Sequence, residues 1–152
     1  MKQLKILFIL IVAVAACKEI FEPPPQSLLE VRVEYSESTT TGSPKISVYG
    51  LDQDSIWIYQ EQTKQIWLPL SKTGSSSFVI LLDSIPDTLT VIHDTELQYG
   101  SMVTGFYYEY RIKEIEHSWN RIDSMILKDS VVNNFWHENI RLYINTPPTD
   151  TE

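Results

Sequence analysis

The chain has 152 residues, 43% of them hydrophobic, with five glycines, a single cysteine and a formal net charge of −8. That length supports one domain with its own core. The acidic balance argues against nucleic acid as a partner, since no basic stripe is present to displace counterions from phosphates, and one cysteine excludes an internal disulfide.

Lys2 and Lys5 precede Ile6 to Ala16, a stretch without a polar residue that ends in small side chains, which is the layout of a secretory signal over residues 1–16. A helix there reaches about 17 Å, short of a hydrocarbon core of roughly 30 Å, so it does not span a membrane. Val14-Ala15-Ala16-Cys17 resembles the lipobox of bacterial lipoproteins. The resemblance implies cleavage before Cys17, diacylation of its thiol, and a chain anchored by lipid in the outer membrane, facing the periplasm or the cell surface. Each buried methylene contributes about 0.8 kcal/mol, so two or three acyl chains hold without a transmembrane segment. Loss of Lys2 and Lys5 with the signal shifts the formal charge from −8 to −10. In residues 17–27, Pro23-Pro24-Pro25 favours an extended polyproline spacer.

Residues 28–145 read as one all-β domain. Leu29, Val31, Val33 and Tyr35 alternate with Glu30, Arg32 and Glu34, the period of a half-buried strand. Turn residues follow, and further strands are predicted at Ile46–Tyr49, Ser55–Gln60, Gln65–Leu70, Ser77–Leu82, Thr88–His93, Gly105–His117, Ile122–Lys128 and His137–Asn145. About eight or nine short strands without a helical period predict an antiparallel, immunoglobulin-like β-sandwich. Few glycines disfavour a barrel, which must bend. Residues 146–152 form a polar tail.

Two irregularities stand out. Between Ile112 and Ile115 the inward face of the long strand slips by one residue, which predicts a bulge after Phe106, Tyr108, Tyr110 and Ile112 have alternated inward. A hairpin over Ser55–Leu70 with its loop at Gln62 sets Trp57 opposite Trp67, Ile58 opposite Ile66 and Ile56 opposite Leu68. Its aromatic face then carries Trp57, Tyr59 and Trp67, either packed in the core or standing as a platform for a partner or ligand. Pro69 cannot donate to a ladder, which places Gln65–Leu70 at a sheet edge.

Val48-Tyr-Gly-Leu-Asp, Asp54-Ser, Asp87-Thr-Leu-Thr, Gly105-Phe-Tyr-Tyr, Ile122-Asp-Ser and Glu138-Asn-Ile-Arg-Leu-Tyr together resemble a Bacteroidota outer-membrane lipoprotein family of unknown function. Lys18-Glu19 with Glu22 is similar to a charged signal that sends some lipoproteins of that group to the cell surface. The resemblance implies no catalytic residue. It does imply a cysteine before the Gly-Phe pair, where this chain has Thr104.

Chemistry-bearing motifs are sparse, and no enzymatic activity and no cofactor are expected. His93, His117 and His137 are far apart and in no metal-binding spacing, and no serine sits in a nucleophile-elbow motif. Asp52, Asp54 and Asp83 offer carboxylates without the rest of a calcium loop, so no metal is expected. The sequence therefore points to a lipid-anchored interaction module, an accessory to an envelope assembly or transport complex. The alternative is a carbohydrate- or small-ligand-binding lipoprotein that stacks its ligand on Trp57, Tyr59 and Trp67.

Overall fold

A computed structural model of the chain describes residues 26–37, 42–51 and 55–146. The signal at residues 1–16, Cys17, the proline spacer, Asp52, Asp54 and the tail beyond Thr146 lie outside the described residues. The ten strands are β1 (Leu28–Tyr35), β2 (Lys45–Gly50), β3 (Ile56–Gln62), β4 (Gln65–Pro69), β5 (Ser75–Leu82), β6 (Ile85–Ser101), β7 (Gly105–His117), β8 (Ile122–Leu127), β9 (Val131–Val132) and β10 (Glu138–Ile144). They form two sheets, one in the order β4-β1-β10-β8 and the other β3-β2-β5-β6-β7-β9.

The sandwich follows from alternation. Leu29, Val31, Val33, Ile66, Leu68, Ile140, Leu142 and Ile144 of the four-stranded sheet meet Ile46, Val48, Phe78, Ile80, Leu82, Leu89, Val91 and Ile112 of the six-stranded sheet. Each such side chain contributes about 1.5 to 3 kcal/mol by leaving water. The outward residues are mixed, with Tyr49, Val79, Leu81 and Ile92 among polar neighbours on the six-stranded sheet. Arg141 makes a two-pronged contact with Glu138 and lies 3.6 Å from Glu34, while Ser77 bonds Thr90 on the opposite sheet. Hydrogen bonding to Arg141 holds the Glu138 carboxyl below the usual carboxylate range.

One pair departs from the antiparallel pattern: β1 runs parallel to β10, with Val31 beside Ile140 and Val33 beside Leu142. A bulge between Glu30 and Val31 opens that ladder, and the Asn139 side chain closes it by accepting a hydrogen bond from the Glu30 amide. The bulge expected in the long strand is present. Ile92 pairs with Glu114 and His93 with Ile112, so Lys113 is the extra residue.

The hairpin expected over Ser55–Leu70 does not form. β3 pairs with β2 in the six-stranded sheet and β4 with β1 in the four-stranded one, so Ile58 lies beside Val48 and Ile66 beside Val31. Two features of the chain explain the crossing. β3 is irregular against β2 at two places, with Gln60 at φ 49° and its amide bonded to the Ser47 hydroxyl, which twists the strand away from a flat hairpin. At the corner, the Thr63 hydroxyl both accepts from the Gln65 amide and donates to the Gln65 carbonyl, while the Lys64 carbonyl takes the Val33 amide. The chain thus steps from one sheet to the other, and β4 is an edge strand as Pro69 required.

β6 is the second departure: it continues to Ser101, well past His93. Pairing with β5 stops at Ile92 opposite Ser75, but pairing with β7 continues through Leu97–Tyr108 and Tyr99–Phe106 to Ser101–Gly105. The outer part of this hairpin is therefore a two-stranded arm that leaves the sandwich.

Candidate functional site

Trp57 and Tyr59 sit on edge strand β3, exposed at 52% and 66%. Trp67 lies half-buried on β4, out of phase with the core residues Ile66 and Leu68. The three do not make one platform. Instead the Trp57 indole N–H donates to the Trp67 backbone carbonyl at 2.7 Å, tying the edges of the two sheets together. With two irregularities in β3 and Pro69 in β4, this side of the sandwich is protected against strand addition.

Beside that tie lies a cleft of about 540 Å³, lined by Trp57, Leu51, Pro69, Leu70 and Phe78 together with Ser55, Ser71, Ser75, Ser76 and Ser77. Its lining holds no charged side chain among the described residues. Beneath it His93, 3% exposed, stands edge-on to the Tyr110 ring with centroids 5.1 Å apart. Ser76 Oγ accepts the Ser71 amide at 2.7 Å and lies 3.1 Å from His93 Nε2. Tyr110 donates to the Leu70 carbonyl at 3.1 Å. Burial pushes the His93 pKa below the ordinary histidine value, with Asp94 opposing, which favours the neutral ring. The Ser76–His93 contact resembles half of a nucleophile pair. However, His93 Nδ1 has only the Thr95 hydroxyl at 3.4 Å instead of a carboxylate, and Ser76 is engaged by the backbone. These bonds fix the 70–76 loop over the cleft floor.

The arm carries the larger apolar surface. Leu97 and Tyr99 continue the phase of Leu89, Val91 and His93, and across the ladder Phe106 and Tyr108 continue that of Tyr110 and Ile112. Beyond the four-stranded sheet nothing covers this face among the described residues. Lys72 lies over the Tyr108 ring at 4.5 Å, and outward from there Leu97, Tyr99 and Phe106 are exposed, as are Met102 and Val103 at the turn. Phe106 was expected to point into the core; it has the right phase but stands past the covering sheet. Tyr99 and Phe106 pack on each other with centroids 5.3 Å apart. Gly105, at φ 71°, closes the turn in the left-handed region. A side chain on Gly100 would meet the Thr104 hydroxyl at 2.7 Å, so both glycines shape the tip.

Of the acidic residues considered as ligands, Asp83 is described. It accepts the Lys45 amide and the Arg121 guanidinium. Among the described residues no group of three or more His, Cys, Asp or Glu side chains is placed to hold a metal.

Residues 45–144 match a protein family whose description reads "Family of unknown function (DUF6452)". The chain belongs to DUF6452. No curated protein and no solved structure matches it. The DUF6452 match runs from the first residue of β2 to the last of β10. The cleft residues, the His93 network and the whole β6–β7 arm therefore belong to the DUF6452 part of the chain, whereas β1 and the segment leading into it precede it.

Proposed function

We propose that this member of DUF6452 is a lipid-anchored interaction module of the outer membrane, an accessory subunit that works by contact without catalysis, and that its contact element is the β6–β7 arm. The observation that carries this reading is the apolar flank of the arm, with Leu97, Tyr99 and Phe106 in the phase of the core and nothing packed on them among the described residues. Contiguous exposed apolar surface of this kind marks an interaction site on a monomer. The arm carries five exposed large apolar side chains, Leu97, Tyr99, Met102, Val103 and Phe106, and the edges near Trp57 are closed, which makes the arm the surface best fitted to a protein partner. Lipid attachment at Cys17 supplies the membrane address.

The test compares the intact lipoprotein with a Tyr99→Ser, Phe106→Ser double variant at matched abundance, crosslinked in native outer membranes. A stoichiometric envelope protein should accompany the parent chain, and its recovery should fall by about tenfold or more in the variant, as for loss of an aromatic hot spot. Equal recovery from both refutes the arm as the contact.

A second reading rests on the cleft. Trp57 and the serine hydroxyls in its lining, with no charged side chain among its described lining residues, suit a neutral polyhydroxylated ligand such as a sugar ring. In a titration with neutral oligosaccharides, indole emission should change saturably in the parent chain and not in Trp57→Ala. An identical response in both proteins removes this reading.

A further inference from the structure

The turn of the arm differs from the ribbon behind it in charge. Tyr99-Gly-Ser-Met-Val-Thr-Gly-Phe-Tyr-Tyr108 carries no charge, and the first charged residues behind it are Glu96 and Glu109, paired across the ladder. Met102, at the apex, is 96% exposed. Within the turn, Ser101 Oγ accepts the Val103 and Thr104 amides and bonds the Thr104 hydroxyl at 2.8 Å. An apolar medium penalises charge and unsatisfied backbone groups, so an uncharged apex with two of its amides already bonded suits shallow entry into the interfacial layer, where water and head groups serve the remaining carbonyls. Deeper entry is barred, because the ribbon behind the apex has open strand edges.

The direction of the arm supplies the occupant. Leu28 pairs with Pro69, the chain turns through Ser71 to Ser75, Ser75 pairs with Ile92, and the His93 amide bonds the Gly74 carbonyl where the arm begins. Gln26 accepts a hydrogen bond from the Trp136 indole, and Val132, shortly before Trp136, pairs with Tyr110 at the arm's base. The N-terminal segment therefore enters the domain at the end from which the arm departs. From His93 to Ser101 the arm runs about 26 Å. At full extension Cys17 to Gln26 spans about 30 Å, so an acylated Cys17 and the arm's apex reach the same plane.

We propose that the apex, Met102 and Val103, rests in the interfacial layer of the membrane to which the chain is anchored, with Tyr99, Phe106 and Tyr107 at head-group depth, where amphipathic rings are favoured. This rests on the anchored reading above. It orients the domain, setting the flank of the arm against proteins embedded in the same membrane and turning the opposite end, with the Asp83–Ser84 turn, away.

The experiment uses the full lipoprotein carrying Met102→Cys or, as a control at the far end, Glu37→Cys. Each is labelled with a nitrobenzoxadiazole group and reconstituted in phosphatidylethanolamine–phosphatidylglycerol vesicles. Emission at position 102 should rise several-fold over position 37 and be quenched by a nitroxide placed high on the acyl chain. Equal, water-like emission at both positions overturns the proposal. So does emission at 102 that rises in native envelopes and not in vesicles of lipid alone, which assigns the apex to a protein. Acylation is read separately from the mass of the N-terminal peptide. An unacylated chain refutes the anchor and the placement built on it, whereas an acylated chain with a wet apex refutes the placement alone.

Discussion

Replacing Asp87 by alanine is expected to destabilise the domain by about 3 to 5 kcal/mol, the largest single-residue loss outside the aliphatic core. Asp87 is 1% exposed, and its two oxygens accept from the Ser118 hydroxyl and from the backbone amides of Asn120, Arg121 and Ile122 at 2.9, 2.7 and 3.0 Å. One side chain at the start of β6 thus organises the whole β7–β8 connection. Alanine leaves the Arg121 and Ile122 amides buried without an acceptor, and each such group costs about 1 to 3 kcal/mol. Asp87→Asn keeps one acceptor oxygen and should lie between parent and alanine variant. Urea unfolding at neutral pH measures this; a loss below about 1 kcal/mol for Asp87→Ala would show that the loop holds itself.

Asp87 was open to reading in the sequence through its phase. Leu89 and Val91 define the inward positions of that strand, and Asp87 and His93 share their parity, so the alternation itself sets both polar residues on the inward face. The same parity continues through Thr95, Leu97 and Tyr99, which is the signal for the full length of β6. The predicted strand Thr88–His93 ends short of that signal. The slip at Lys113 was readable because a bulge breaks the apolar spacing itself. Partner choice was not. Ile58, Ile66 and Leu68 are aliphatic and inward whether Ser55–Leu70 is a hairpin or two edges of different sheets, and local pattern does not separate those cases. What separates them is the Thr63–Gln65 corner and the two irregularities in β3, features of backbone conformation. For the candidate site, the exposure of Trp57 and Tyr59 was foreseen as one of two outcomes. The arm was missed because Phe106 and Tyr108 look like core residues until the extent of the opposing sheet is known.

The exposed apolar side chains of the arm have an explanation in common. The inward face of β6 and β7 is longer than the sheet that covers it, so the excess has to stand in water or meet something else. A sequence under pressure only to fold would end that face with polar residues, as β5 ends at Asp83 and Ser84. Here alternation is kept to the turn, with two aromatics packed on one another near the tip. Under the proposed contact role, an ordered ribbon would also limit the entropy lost on docking, which favours affinity.

The second large effect concerns the opposite end, where Arg121 is 2% exposed and only one of its nitrogens has a carboxylate, Nη2 to Asp83 Oδ2 at 3.0 Å. Nε and Nη1 are buried with no partner. A buried cation so poorly satisfied contributes little to stability beyond its volume, yet removing its one counter-charge should be severe. Asp83→Asn retains the left-handed turn at φ 50° and an acceptor for the Lys45 amide, so it isolates the charge. It is expected to cost about 2 to 4 kcal/mol. Arg121→Met fills the same space without a charge and should change stability by less than about 1 kcal/mol or raise it. The combined variant should then resemble Arg121→Met, giving a coupling energy of about 2 kcal/mol or more in a double-mutant cycle. If the two losses simply add, the Asp83 carboxylate acts through its turn, and the guanidinium is held by packing alone.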